Sequence, residues 1–170
     1  QPAPPQVSVV MPTLNQAPFI AESVASVLSH GIESLELVVT DGGSTDGTQG
    51  ILATLASEHP GRLRWSSAPD AGPAQAVNAA VASARGAIVG WLNSDDLYTP
   101  GAVPRALEAF ARQPDAVMVY GEVADSIQGA PRPLYMRPRF FRPEQWVAYG
   151  ARLDALARHT LAHGVRLAYH

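Results

Sequence analysis

The sequence predicts an α/β domain, a mostly parallel central sheet flanked by helices, and three observations lead there. Short apolar runs alternate with helix-like segments from Val7 to Tyr120, the rhythm of repeated strand–helix units. The runs are continuously apolar rather than alternating, as strands covered on both faces are. Each run also stops abruptly at proline, asparagine, glycine or aspartate, and ligands of open α/β sheets bind just beyond the carboxyl ends of the strands.

The elements follow in order. Val7 to Met11 is a β-branched run stopped by Pro12. Ala17 to Leu28 places Phe19, Ile20, Val24, Val27 and Leu28 at helical spacing. A second strand spans about Leu35 to Thr40, and a second helix about Thr48 to Ser57, ended by Pro60 and Gly61. Arg62 to Ser66 is a third strand. Pro73, in a helix first turn, opens a third helix to about Ala84, stopped by Gly86. Ala87 to Leu92 is the fourth strand, Ala102 to Arg112 a helix, and Ala116 to Tyr120 a further strand. After Gly121 the rhythm breaks. Residues 129 to 143 are rich in proline and arginine and are expected to be extended or loop-like, with a last helix over Leu153 to Ala162.

At 170 residues the chain is one domain with a real core. Residues 1 to 6 are expected to be a disordered lead-in. A net charge of −3 gives no basic footprint for nucleic acid. All twelve basic residues are Arg, which excludes lysine Schiff-base chemistry and a P-loop lysine. With abundant Ala, this bias suggests a GC-rich bacterial source. The lack of Cys excludes disulfides, thiolate metal sites and a cysteine nucleophile. No stretch approaches the ~20 apolar residues that cross a bilayer. The expected location is the cytoplasm or the inner face of the membrane.

Polar groups stand at the ends of four successive strands: Pro12, Thr13 and Asn15; Asp41 with Asp46; Asp70 to Gly72; Asp95 with Asp96. In a parallel sheet these ends share one edge, so the groups converge on one cleft. In the stretch Asp41 to Thr48, Gly43 lets backbone approach a ligand and Asp46 is placed to cap the next helix. Taken alone, that stretch suits a structural corner as well as a site. Asn93-Ser94-Asp95-Asp96 is the sharper signal, because adjacent carboxylates repel unless a cation or proton lies between them. Oxygen donors without thiolates suit Mg²⁺ or Mn²⁺. Asp95 is the better ligand, since Asp96 is equally placed to hold the following turn. Gln75 and Asn78 share a face of the third helix beside this edge, to touch a ligand or simply meet solvent, while Val77, Val81 and Ala84 pack on the sheet. The histidines, His159 and His163 included, show no ligand spacing supported by a second cluster. Arg132, Arg137, Arg139 and Arg142 suit either a diphosphate or an exposed loop.

These motifs carry a resemblance. Val7 to Gln16, Asp41 to Thr48, Pro69 to Gly72 with Asn78, Trp91 to Asp96 and Leu97 to Gly101 are similar, in order and spacing, to those of family 2 glycosyltransferases. The resemblance covers residues 7–121 and implies a GT-A fold, a nucleotide-diphosphate sugar donor, a saccharide or other hydroxyl acceptor, and a divalent metal. It implies that Pro12, Thr13 and Asp41 hold the nucleotide base and ribose, that Asp70 lies near the base and sugar, and that Asp95 holds the metal on the diphosphate. Asn15, Gly43, Gln75, Asn78, Asn93 and Ser94 complete the expected donor-binding set, and Asp96 the expected metal pair.

The chain departs from the family pattern at three points. Asn93 stands where an acid is usual, and Ala71 where a basic residue is common. No counterpart of the later acidic motif that supplies the general base is found between Arg142 and His170, and Asp154 is a poor substitute. The region 122–170 is therefore expected to be a partial acceptor side lacking a segment near 150. Rival readings are a non-catalytic nucleotide-sugar-binding domain and a sugar nucleotidyltransferase. The latter normally needs a glycine-rich, basic loop after the first strand, which Pro12 to Ala17 is not.

Overall fold

The computed structural model describes residues 4–116, 118–120 and 139–143. Its elements are β1 (Val7–Thr13), α1 (Ile20–Leu28), β2 (Leu35–Asp41), α2 (Thr48–Glu58), β3 (Leu63–Ser67), α3 (Pro73–Ser83), β4 (Ile88–Trp91), α4 (Ala102–Arg112), β5 (Met118–Tyr120) and β6 (Arg139–Phe141). The sheet order is β3-β2-β1-β4-β6-β5. β1 pairs in parallel with both β2 and β4, and β2 with β3, while β6 runs antiparallel to β4 and β5.

Alternate side chains of the sheet enter two cores. Val7, Val9, Met11, Leu35, Leu37 and Val39 pack with α1, α2 and α4 on one face. Val10, Val38 and Val89 meet Val77 and Ala80 of α3 on the other. β2 is buried along its whole length, which is why its sequence shows no alternation. Val81 and Ala84 pack on the same face as Val77, as the helical spacing predicts.

Two expectations change. Gln6, placed in the lead-in, already joins the sheet: its N–H donates to Ser34 O at 2.7 Å and its carbonyl accepts Ile88 N–H at 3.1 Å. Residues 139–141, expected only as part of an extended or loop-like stretch, form β6 and lie between β4 and β5. Their local composition argues against a strand. The unpaired edge of β4 and the burial of Phe140 and Phe141, one in each core, outweigh it. Gly90 makes room for this: a Cβ there would stand 2.7 Å from the Phe140 ring. The expected helix over 153–162 and the proposed gap near 150 lie outside the described residues.

Candidate functional site

The parallel register brings three side chains into one row at the carboxyl edge. Thr13 is paired with Asp41, and Asp41 with Ser67. On the far side of β1, Leu92 N–H donates to Val10 O at 3.1 Å, so the Asn93–Asp96 turn leaves the sheet beside the end of β1. The four strand ends thus share the edge that the sequence predicts.

Asp41 is 2% exposed and its carboxylate is heavily engaged. Oδ2 accepts Gly43 N–H at 3.2 Å, Ser44 N–H at 3.0 Å and Ser67 Oγ at 2.6 Å. Oδ1 accepts the Ser44 hydroxyl. Ser67 carried no mark in the sequence, since a serine at a strand end is ordinary; only the register of β3 against β2 reveals its contact. Thr13 Oγ1 is buried with no partner among the described residues, while its carbonyl accepts Gly42 N–H at 2.9 Å.

The side chains of Ser44, Asp46 and Thr48 stitch the Asp41–Thr48 stretch to the loop after β1. Asn15, at φ 53°, donates its N–H to Ser44 Oγ at 2.7 Å and accepts Thr45 N–H on Oδ1 at 2.9 Å. Gln16 N–H donates to Thr48 Oγ1 at 3.0 Å, and Ala17 N–H to Asp46 Oδ2 at 2.9 Å. Asp46 Oδ1 meanwhile accepts Thr48 N–H at 3.0 Å, but the N-cap of α2 is Gly47, without a side-chain cap, so Asp46 stands one residue ahead of the cap position expected for it. Bonds from Thr48 and Ala17 keep the Asp46 carboxyl below its ordinary range. Asn15, predicted as a donor contact, is thereby also a loop clasp.

The loop after β3 closes over this stretch. Asp70 Oδ1 accepts Gly72 N–H at 2.8 Å, and its Oδ2 lies 2.9 Å from where a Cβ on Gly42 would stand. Gly43, at φ 93°, runs beside Pro69. Gln75 and Asn78 are both exposed. Gln75 Oε1 accepts Ala71 N–H at 2.6 Å, so its side chain fastens the α3 entry.

Beyond β4, Trp91 Nε1 donates to Asn93 Oδ1 at 3.2 Å, and Asn93 Nδ2 donates to Asp96 Oδ2 at 3.3 Å. Asp95 is exposed and Asp96 half-buried. Burial and the adjacent Asp95 charge push the Asp96 carboxyl up, against the Asn93 bond that lowers it. Ser94 is buried, and its carbonyl accepts Ser23 Oγ of α1 at 2.9 Å. Among the described residues no three His, Cys, Asp or Glu side chains gather as a metal cage. Asp95 and Asp96 nevertheless fit a hard divalent cation as a partial site: both offer oxygen, and neither has an ion-pair partner among the described residues. The open positions would go to diphosphate and water.

Other predicted groups lie elsewhere. Arg142, offered for a diphosphate, donates to Pro114 O at 3.1 Å with its guanidinium 5.6 Å from the Phe110 ring centre, which ties it to the end of α4. Arg132, Arg137, His159 and His163 lie outside the described residues, as does the side chain of Arg139. His30 is half-buried, its ring centre 6.2 Å from that of Tyr98, and burial with the Arg105 charge pushes its pKa down. At the opposite end of the sheet, Glu36, 1% exposed, receives Ser8 Oγ at 2.6 Å, Arg85 Nη2 at 2.6 Å and Arg64 Nη1 at 3.1 Å. No local pattern marks this network, because its members lie 28 and 49 positions from Glu36.

No helix among the described residues is long and apolar enough to cross a membrane. Among known proteins, a chondroitin synthase of Pasteurella multocida (strain Pm70) is 38% identical over 116 residues, covering 68% of this chain and 12% of that protein. The chondroitin synthase of Escherichia coli is 38% identical over the same length, covering 68% of this chain and 17% of its own. The chain therefore spans less than a fifth of these relatives. Of solved structures, a mannosyltransferase from Pyrobaculum calidifontis in complex with GDP-Man and Mn²⁺ is 31% identical at a TM-score of 0.62, covering 68% of this chain and 35% of that one. S. aureus TarS 1-349 in complex with UDP-GlcNAc shares the fold at a TM-score of 0.67 and 20% identity, over 81% of this chain and 45% of that one. The architecture is that of GT-A glycosyltransferases. The model of glycosyl transferase family 2 matches residues 8–166, which include every described strand, and the chain belongs to that family.

Proposed function

We propose that this chain is the donor-binding part of a glycosyltransferase that moves a sugar from a nucleotide-diphosphate sugar to a hydroxyl of a saccharide or other acceptor, with inversion and with Mn²⁺ or Mg²⁺. The observation that carries this reading is the convergence of the Thr13, Asp41, Asp70 and Asp95 corners on one sheet edge. The named chondroitin synthases and the mannosyltransferase bound to GDP-Man and Mn²⁺ support it. We place a cell-envelope polysaccharide first among acceptors.

On this reading Pro12, Thr13 and Asp41 hold the base and ribose. Asn15, Gly43, Asp70, Gln75, Asn78, Asn93 and Ser94 shape the rest of the donor pocket, and Asp95 with Asp96 holds the metal. The acceptor hydroxyl gives up its proton to a carboxylate base as its oxygen attacks the anomeric carbon, the bond from that carbon to the phosphate oxygen breaks, and the diphosphate departs. When bound, the cation supplies positive charge that stabilises this leaving group. The exposed Asp95 carboxylate orients it, while Asn93 keeps Asp96 turned toward the same site. No described residue is assigned as the general base.

Calorimetry with nucleotide-diphosphate sugars tests the reading. Asp95→Ala should abolish donor binding that depends on Mn²⁺, and Asp41→Ala should weaken nucleotide binding even without metal. Unchanged affinities would overturn the two assignments. Sugar transfer or donor hydrolysis by this chain separates an enzyme from a binding domain.

A further inference from the structure

We propose that Trp91 is a positioning residue for the metal pair: its indole N–H sets the Asn93 amide, and Asn93 in turn fixes the Asp96 carboxylate for a cation shared with Asp95. The inference rests on the metal reading above and adds the residue that orients the pair.

The turn that carries the two carboxylates is fixed in its backbone. Leu92 N–H donates to Val10 O at 3.1 Å as the chain leaves β4, and Asp96 N–H donates to Asn93 O at 3.2 Å across the turn. From α1, Ser23 Oγ donates to Ser94 O at 2.9 Å, and Ser26 Oγ accepts Tyr98 N–H at 3.2 Å. These bonds leave only side-chain rotation open. An asparagine amide can turn over, exchanging its acceptor oxygen and its amino donors with almost no change of shape. One orientation attracts the Asp96 carboxylate and the other repels it.

Trp91 removes that choice. An indole N–H only donates, so the Asn93 atom that meets it must be the oxygen. Nε1 donates to Asn93 Oδ1 at 3.2 Å, which turns the amino end to Asp96 Oδ2 at 3.3 Å. The reversed amide would set N–H against N–H at Trp91 and oxygen against oxygen at Asp96. Trp91 can impose the orientation because it is rooted in the sheet. It pairs in register with Val10 and packs, half-buried, on the core that α3 covers. Hydrogen bonds that orient a metal's carboxylate ligands are worth about tenfold to a hundredfold in affinity.

The test is Mn²⁺ binding to the full chain, read from the paramagnetic resonance signal of the free ion. Asn93→Ala should weaken binding about tenfold or more. Trp91→Phe, which keeps a ring but has no N–H, should weaken it roughly threefold to tenfold, the worth of one hydrogen bond. In an Asn93→Ala background the same change should do nothing further, because the relay is already cut. A second loss in that background would make Trp91 a packing residue and overturn the proposal, as would a Trp91→Phe affinity equal to the parent's. Solvent exchange of the Trp91 indole proton, followed by NMR in the metal-free protein, tests the same link with Trp91 intact. It should quicken in Asn93→Ala, and an unchanged rate overturns the link. Mn²⁺ binding that survives Asp95→Ala overturns the metal reading and this inference together.

Discussion

Asn15 N–H donates to Ser44 Oγ at 2.7 Å, and the same Ser44 hydroxyl donates onward to the buried Asp41 carboxylate. One side chain therefore couples the loop after β1 to the carboxylate at the end of β2. The polar richness of the Asp41–Thr48 stretch is largely this internal stitching.

Removing that hydroxyl tests the coupling. Ser44→Ala leaves the Asn15 N–H and one Asp41 oxygen short of a partner, and it should cost about 1–3 kcal/mol of stability, read by urea unfolding. It should also weaken nucleotide binding, because Asp41 loses a brace. A variant as stable as the parent would show that the hydroxyl contributes little.

Asp46 links the same loops through Ala17 and Thr48. Its carboxyl is held below the ordinary range, so its contribution is present above the unfolded value and is lost as pH falls through the folded one. Asp46→Ala should lower the melting temperature at neutral pH and abolish that part of the acid sensitivity. Identical pH profiles would contradict this.

Glu36 gives a second acid-labile element. Burial pushes its carboxyl up, but Arg85, Ser8 and Arg64 outweigh this and bring it below its ordinary range. The ionised form is favoured in the fold, so stability is full above the unfolded pKa and declines as pH falls through the folded value. Glu36→Gln should cost about 2 kcal/mol near pH 7, the range of hydrogen bonds to charged groups, and less in acid. Denaturant midpoints across pH 3–7 decide it.

The Asp95–Asp96 pair should show its strain in metal binding. The Asp96 carboxyl is pushed up by burial and by Asp95, so protons compete with a cation there at higher pH than for an ordinary aspartate. Mn²⁺ affinity should therefore fall as pH drops through that raised value. Asn93→Asp should raise affinity by adding a charge, and equal binding by both forms would count against the pair as the metal site.

Two glycines are held by close approach. A Cβ on Gly86 would stand 2.5 Å from Ser8 N, and one on Gly90 2.7 Å from the Phe140 ring. Alanine at either position should cost about 1–3 kcal/mol through overpacking. For Gly90→Ala the loss should centre on β6, seen as faster amide exchange at residues 139–141.

The sequence by itself determined the succession of strands and helices through α4 and the shared edge of their polar ends. Continuous apolar runs and helical spacing are local signals, and parallel pairing then obliges the strand ends to align. It also singled out Asp41, Asp70 and Asp95 as candidates, because carboxylates near glycine or beside a second carboxylate at strand ends are conspicuous. Tertiary structure alone decided which of these are engaged. Ser67 reaches Asp41 from 26 positions away, Asn15 meets Thr45 across 30, and Gln75 turns back to Ala71 instead of standing open. It also drew residues 139–141 into the sheet, where β4 offered unpaired backbone and the core offered room for Phe140 and Phe141. Hydrogen-bond satisfaction and burial depend on neighbours distant in the chain, and no local pattern encodes them.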